Sequence, residues 1–234
     1  MTKGFFITGT DTGVGKTVVA GAVIKVLNYL GLTTGAMKPV ETGCRREGGV
    51  LVPDDGLFLR DMAGIDEPVK FITPFCFENP LAPMVAAERE AAEVDVQEIQ
   101  DVFLRMREKY DAMVVEGVGG LMVPLSQDYY VTELAAALGL PLLIVAGPGL
   151  GTINHTMLTL SHARSAGLRI AGIIINYCRP PENSLAEKTN PGILARIAGV
   201  PVIGIFPYLE KINGDVIRTT GVTNLDLTVL KRYL

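Results

Sequence analysis

The chain has 234 residues, a formal net charge of −4 and 48% hydrophobic residues, with a pI of about 5.3. Lysine and arginine are scattered, so the electrostatic footprint of a nucleic-acid binder is missing, and no run approaches the ~20 apolar residues that span a bilayer. The opening MTKGFFITGT is too short in apolar residues for a signal peptide, and Cys44, Cys76 and Cys178 form no CxxC pair or histidine cluster. A reduced, cytoplasmic protein with a small-molecule ligand, no nucleic acid and no membrane partner is the expectation.

Taken in chain order, Phe5–Thr8 reads as a short buried strand running directly into Gly9-Thr10-Asp11-Thr12-Gly13-Val14-Gly15-Lys16-Thr17. That segment satisfies GxxxxGK[ST], and a helical pattern over Thr17–Tyr29 follows at once, as a P-loop requires. Its glycines let backbone N–H groups wrap phosphates, Lys16 neutralises the β/γ oxygens, and the Thr17 hydroxyl can ligate Mg²⁺. A second apolar strand, Thr34–Lys38, ends in a lysine that Pro39-Val40-Glu41-Thr42-Gly43 cannot continue as helix. Lys38 is then either an ordinary solvated lysine or a second cation for phosphoryl transfer. The connection from about Glu41 to Pro83 is rich in glycine, proline and charge, and connections of that length are commonly functional or mobile. Within it, Asp54 and Asp55 precede an amphipathic stretch, where either residue caps a helix or binds a metal.

Beyond a helix over Val96–Lys109, the run Ala112–Val115 ends in Glu116-Gly117-Val118-Gly119-Gly120. A carboxylate at the exit of a buried strand is costly unless paired or metal-bound, which sets Glu116 apart from a glutamate merely entering a loop. Helical spacing recurs over Val131–Leu138, Asn154–Ala166 and Gly192–Ala198, and apolar strands start at Leu142, Ala171 and Val202. Gly31, Gly139, Gly167 and Gly199 follow helical stretches as left-handed C-caps. This alternation predicts an α/β single domain, a doubly wound and mostly parallel sheet with helices on both faces, its ligand beyond the carboxyl ends of the strands. His155 and His162 lack zinc-site spacing and read as a structural bond or ligand contact and as packing or interface, respectively. The methionines read as core filling, and Asn224–Leu234, with only Lys231 and Arg232 as cations, packs on the core.

The set GTDTGVGKT, KPVETG, PDDGLFL, VEGVGG and GLGTINH, in this order from Phe5 to about Glu210, resembles the dethiobiotin synthetase family. Nitrogenase iron protein and Min/Par ATPases share the P-loop NTPase fold but usually carry a lysine where this chain has Thr10. The resemblance implies an ATP-dependent ligase that converts 7,8-diaminononanoate and CO2 to dethiobiotin in a homodimer. It implies that Thr12, Gly13, Val14, Gly15, Lys16 and Thr17 hold the phosphates, that Thr17, Asp55 and Glu116 place Mg²⁺, and that Lys38 is catalytic beside Lys16. Gly117, Val118 and Gly119 follow on the nucleotide side, Asn176, Pro207, Tyr208 and Leu209 match the adenine-side segments, and Thr42 matches a substrate-contacting hydroxyl. Gly151 and Asn154, in Gly151–His155, match a loop that receives the substrate's carboxylate tail across the dimer interface. Thr42 replaces a serine, Gly13 a glutamate and Met84 a histidine of relatives, and Lys188 falls near a tyrosine of some members. These departures bear on substrate fit rather than on phosphate chemistry. The alternatives are a related P-loop ligase on another amine or carboxylate and a Min/Par-like ATPase switch.

Overall fold

The computed structural model describes residues 3–234. Met1 and Thr2, which open the segment judged too short for a signal peptide, lie outside the described residues. Six strands form one parallel sheet: β1 (Gly4–Gly9), β2 (Thr34–Met37), β3 (Ala112–Glu116), β4 (Leu142–Ala146), β5 (Ile170–Asn176) and β6 (Val202–Phe206). Their spatial order is β6-β5-β4-β1-β3-β2, with every neighbouring pair parallel. From β1 the chain passes to one side, and it later returns to β4 on the other. Crossovers on opposite sides of β1 open a crevice at its carboxyl end, where a ligand can enter between diverging loops.

The strands are apolar on both faces because both are covered. Phe5, Ile7, Val114, Leu143, Val145 and Ile174 face α1 (Lys16–Tyr29) and its neighbour α2 (Asp54–Ala63). The alternate residues Phe6, Met113 and Val115 face α3 (Val96–Arg107) and α4 (Val131–Leu138), while Ile144, Ile173 and Ile175 meet α5 (Thr152–Ser165) and α6 (Leu185–Ile197). Helix α7 (Gly214–Asn224) lies on the α1 face through Ile217, and the tail joins it through Leu225, Val229, Leu230 and an edge contact of Tyr233 with Phe5. Met37, Met106 and Met113 fill the core, but Met122 is exposed, so core filling does not describe every methionine. No helix among the described residues is long and apolar enough to cross a membrane.

Local chemistry explains where the elements end. Asp95 caps α3 by accepting from the Gln97 and Glu98 amides at 2.8 and 3.1 Å, an arrangement that contributes ~1 kcal/mol. Left-handed Gly64 and Gly139 close α2 and α4.

Three expected boundaries need correction. Helix α6 starts at Leu185 rather than Gly192, because Ser184 and Glu187 build a capping box upstream of Pro191. An internal proline costs ~3 kcal/mol and strips the carbonyl four residues earlier of its donor. Here that carbonyl belongs to Glu187, and the Tyr177 hydroxyl donates to it at 3.4 Å. Helix α5 starts at Thr152, two residues ahead of Asn154. The Glu41–Pro83 connection is folded into a strand pair (Val40–Thr42 with Phe75–Phe77), a hairpin (Arg45–Glu47 with Val50–Val52), α2 and a short helix, Val69–Ile72.

Candidate active site

At the end of β1 the loop turns on Gly13 and Gly15, with φ of 76° and 84°. Gly15 is the N-cap of α1 in left-handed conformation, and a Cβ there would fall 2.1 Å from Asn176 Nδ2. Asn176, the last residue of β5, uses that close approach to donate from Nδ2 to the Val14 carbonyl at 2.8 Å. A strand two places away in the sheet, beyond β4, thereby braces the loop. No side chain caps α1 and its first turn holds no acid, so its free N–H groups and positive dipole end are available to an anion.

A buried charge cluster lies beside this loop. Lys38 Nζ donates to Glu116 Oε1 at 2.5 Å and to the Gly117 carbonyl at 3.4 Å, and pairs with Asp55 Oδ2 at 3.2 Å. Thr17 Oγ1 donates to the same Glu116 oxygen at 3.0 Å, and Lys16 Nζ donates to the Asp11 carbonyl at 3.2 Å. Glu116 is 1% exposed and Lys38 4%, which overturns the solvated reading of Lys38. Its backbone sits just past β2, where the Lys38 N–H bonds to the Ile72 carbonyl at 2.8 Å.

Electrostatics follow from that crowding. Burial, then repulsion from Lys38, lowers Lys16 to about 8. Burial works against the Lys38 ammonium as well, but Glu116 and Asp55 outweigh it and hold that amine protonated. Burial pushes the Glu116 carboxyl upward against the opposing pull of Lys38, and it lifts Glu41 to about 7 despite two amide donors. Two largely buried lysines lining one cleft repel each other, and that repulsion is relieved when anionic oxygens arrive between them.

Thr12, Gly13, Gly15, Lys16, Thr17, Lys38, Thr42, Asp55, Glu116, Val118 and Gly119 line one cavity of about 270 Å³ with Glu41. The Gly117 carbonyl borders it by accepting from Lys38, whereas Val14 does not line it and its carbonyl accepts from Asn176. A smaller cleft beside it is lined by Gly15, Val18, Asn176, Pro207, Tyr208 and Leu209. Gly151 and Asn154 stand apart: both are exposed, and their segment borders a different cavity through Gly149, Leu150, Thr152 and His155, opposite Thr10–Val14. Met84 lines a separate surface pocket with Glu88 and Val94, and Lys188 is exposed on α6. His162 bonds Thr132 Oγ1 at 2.8 Å between α5 and α4, as packing.

Neither Asp54 nor Asp55 caps α2. Its N-cap is Pro53; Asp54 binds Arg45, and the amides of Asp55 and Gly56 are taken by Glu41. Sequence reasoning missed Glu41, whose only signal was a carboxylate beside buried Val40.

The residues fit a divalent cation by donor chemistry. Glu116 Oε2 is buried with no hydrogen-bond partner among the described residues, and the Thr17 hydroxyl and Asp55 carboxylate converge on the same lysine–glutamate pair. Mg²⁺ asks for such oxygens, one or two carboxylates, and phosphate for the rest.

A parallel sheet whose first strand runs into a glycine-braced phosphate loop defines a P-loop nucleotide-binding protein. The AAA domain family model matches residues 3–216. Solved structures with the same fold include a ParA family ATPase from Chlorobium tepidum (TM-score 0.55, 14% identity, 99% of this chain and 93% of that one). The septum site-determining protein MinD with Mg-ADP from Pyrococcus horikoshii is another (TM-score 0.53, 19% identity, 100% and 90%). Among curated proteins, the ATP-dependent dethiobiotin synthetase of Thermodesulfovibrio yellowstonii is 47% identical over 98% of this chain and 99% of its own length. That of Bacillus subtilis strain 168 is 42% identical over 97% of each. The chain belongs to the dethiobiotin synthetase family.

Proposed function

We propose that the chain, working as one ligase domain, converts 7,8-diaminononanoate, CO2 and ATP to dethiobiotin, ADP and phosphate with Mg²⁺. Besides the family relationship, one observation carries this reading: a second buried lysine, Lys38, faces the P-loop lysine across a cavity closed by Glu116 and Asp55. A second cation serves any γ-phosphoryl transfer, hydrolysis included, and transfer to a carbamate oxygen, itself anionic, draws on cationic groups on both sides of the γ-phosphoryl group; the family relationship selects that acceptor.

One amine of the substrate traps CO2 as a carbamate, a carbamate oxygen accepts the γ-phosphoryl group, and the second amine attacks the mixed anhydride, expelling phosphate. Lys16 and Lys38 stabilise the negative charge that develops in the last two steps, and the α1 N-terminus holds the phosphates. Thr42 lies beside Lys38 in the cavity and offers its hydroxyl to the diamine end. The adenine base is assigned to the cleft of Asn176 and Pro207–Leu209. Thr17, Asp55 and Glu116 would hold Mg²⁺, which when bound neutralises phosphate charge. No protein nucleophile takes part.

The carboxylate tail is assigned to Gly151 and Asn154 of a second copy of the chain in a homodimer. Within one copy Thr42 and this segment line adjoining cavities that share Thr12 and Gly13, and Leu150 at the segment's tip is 96% exposed. A cytoplasmic location fits three free cysteines. The Min/Par-like alternative has only the shared fold behind it, since the similarity to those structures is 14–19%.

Incubating purified protein with diaminononanoate, bicarbonate, ATP and Mg²⁺ should yield dethiobiotin by mass spectrometry, and folded Lys38→Ala should yield almost none. ATP turnover indifferent to the diamine would overturn the assignment.

A further inference from the structure

Helix α2 begins without a cap of its own. Pro53 at its N-cap offers no side-chain acceptor, and a buried helix end with unsatisfied N–H groups is costly. Glu41, fourteen residues upstream on the strand Val40–Thr42, supplies what is missing: Oε1 accepts from the Asp55 amide at 2.9 Å and Oε2 from the Gly56 amide at 3.0 Å. The carboxyl is only 7% exposed and faces the positive end of α2, so both bonds are charge-assisted when it is ionised, which burial defers to pH above about 7. From the other side the same turn is pressed against Thr73, whose Oγ1 would lie 2.0 Å from any Cβ on Gly56. The first turn of α2 is thus gripped from two directions.

That grip bears on Asp55. Its backbone is held by Glu41 while its carboxylate reaches Lys38 at 3.2 Å. Although Glu41 borders the cavity, both of its oxygens are engaged by backbone amides, so it acts through its neighbour rather than on substrate. We infer that Glu41 is a positioning residue: it clamps the first turn of α2 so that the Asp55 carboxylate faces the Thr17–Glu116 pair as a metal ligand. This inference rests on the metal role proposed for Asp55.

The test compares Glu41→Ala, Glu41→Gln and Asp55→Asn in the full chain, using Mn²⁺ titration by electron paramagnetic resonance with ADP present. Amide hydrogen exchange at Asp55 and Gly56 is followed in parallel. Losing charge-assisted bonds at the turn should weaken Mn²⁺ binding by Glu41→Ala about tenfold and speed exchange at both amides, while ADP affinity without metal stays unchanged. Glu41→Gln keeps the shape and one acceptor, so it should fold in any case and show an intermediate loss. If Asp55→Asn weakens Mn²⁺ binding but both folded Glu41 variants bind as the unsubstituted protein does, the positioning role is wrong and the metal reading stands. If Asp55→Asn itself binds Mn²⁺ normally, the metal role of Asp55 fails and the inference falls with it. A lowered melting temperature with unaltered Mn²⁺ affinity would reduce Glu41 to a structural cap.

Discussion

Glu116 accepts from Lys38 and Thr17 on one oxygen while the other has no partner among the described residues. Glu116→Gln preserves shape and an acceptor but removes the charge that faces Lys38. Asp55 still pairs with that lysine, so the loss of stability should be about 1–3 kcal/mol rather than the larger cost of stranding a buried charge. Activity should fall far more, ~100-fold or greater, because the charge serves the reaction itself. Thermal melting and single-turnover rates on the same sample check this, and a variant that loses stability but keeps its rate would make Glu116 structural. Lys16, Thr17 and Glu116 were recognisable from the chain because each occupies a defined place in a strand–loop–helix pattern. Glu41 was not, because its partners are backbone amides fourteen residues away.

Elements of the sheet are tied at their entrances by polar residues that resemble ordinary loop residues. Asp111, before β3, accepts from both the amide and hydroxyl of Thr33, before β2, at 2.8 and 2.7 Å, and its own amide donates back to Thr33 Oγ1 at 3.2 Å. Those bonds hold the Asp111 carboxyl below its ordinary value of 3.8. A depressed folded-state value stabilises the protein above the unfolded value and is lost as pH falls through the folded one. Asp111→Asn should therefore lower stability at neutral pH and shrink the drop between pH 7 and pH 3, read by denaturant unfolding at both. An unchanged acid drop would show that Asp111 does not contribute. Most of the sheet could be read from apolar periodicity, and the strands at Leu142 and Val202 start where expected. The start of α6 is marked in the sequence by the Ser184–Glu187 capping box but obscured by Pro191, and the Glu187 carbonyl that Pro191 leaves without a donor accepts from the Tyr177 hydroxyl, outside the helix.

At the scale of the whole molecule, the proposed dimer makes a prediction that no single copy can imitate. Gly151 has φ of 92°, so a side chain there is strained, and the exposed Asn154 is the cleaner probe. Asn154→Leu should raise the KM for the diamine at least tenfold while leaving that for ATP near its original value, the loss of one polar contact to a charged group. Mixing Lys38→Ala with a bulkier, inactive Gly151→Leu should restore about a quarter of full activity after random subunit exchange, since one site of each heterodimer carries neither fault. No rescue despite confirmed exchange would rule out a shared site.

The sequence by itself determined the alternation of strands and helices, the phosphate loop and the order of the motifs, because periodicity and turn chemistry are local properties. Only the tertiary structure decided that Lys38 is buried and that it pairs with Glu116 and Asp55. The partners in these pairs lie 78 and 17 residues from Lys38, and a charge so placed is tolerated only where distant elements bring its counter-charges. Sheet order did that. With β2 and β1 on either side of β3, Lys38 past β2, Glu116 at the end of β3 and the loop after β1 meet at one edge.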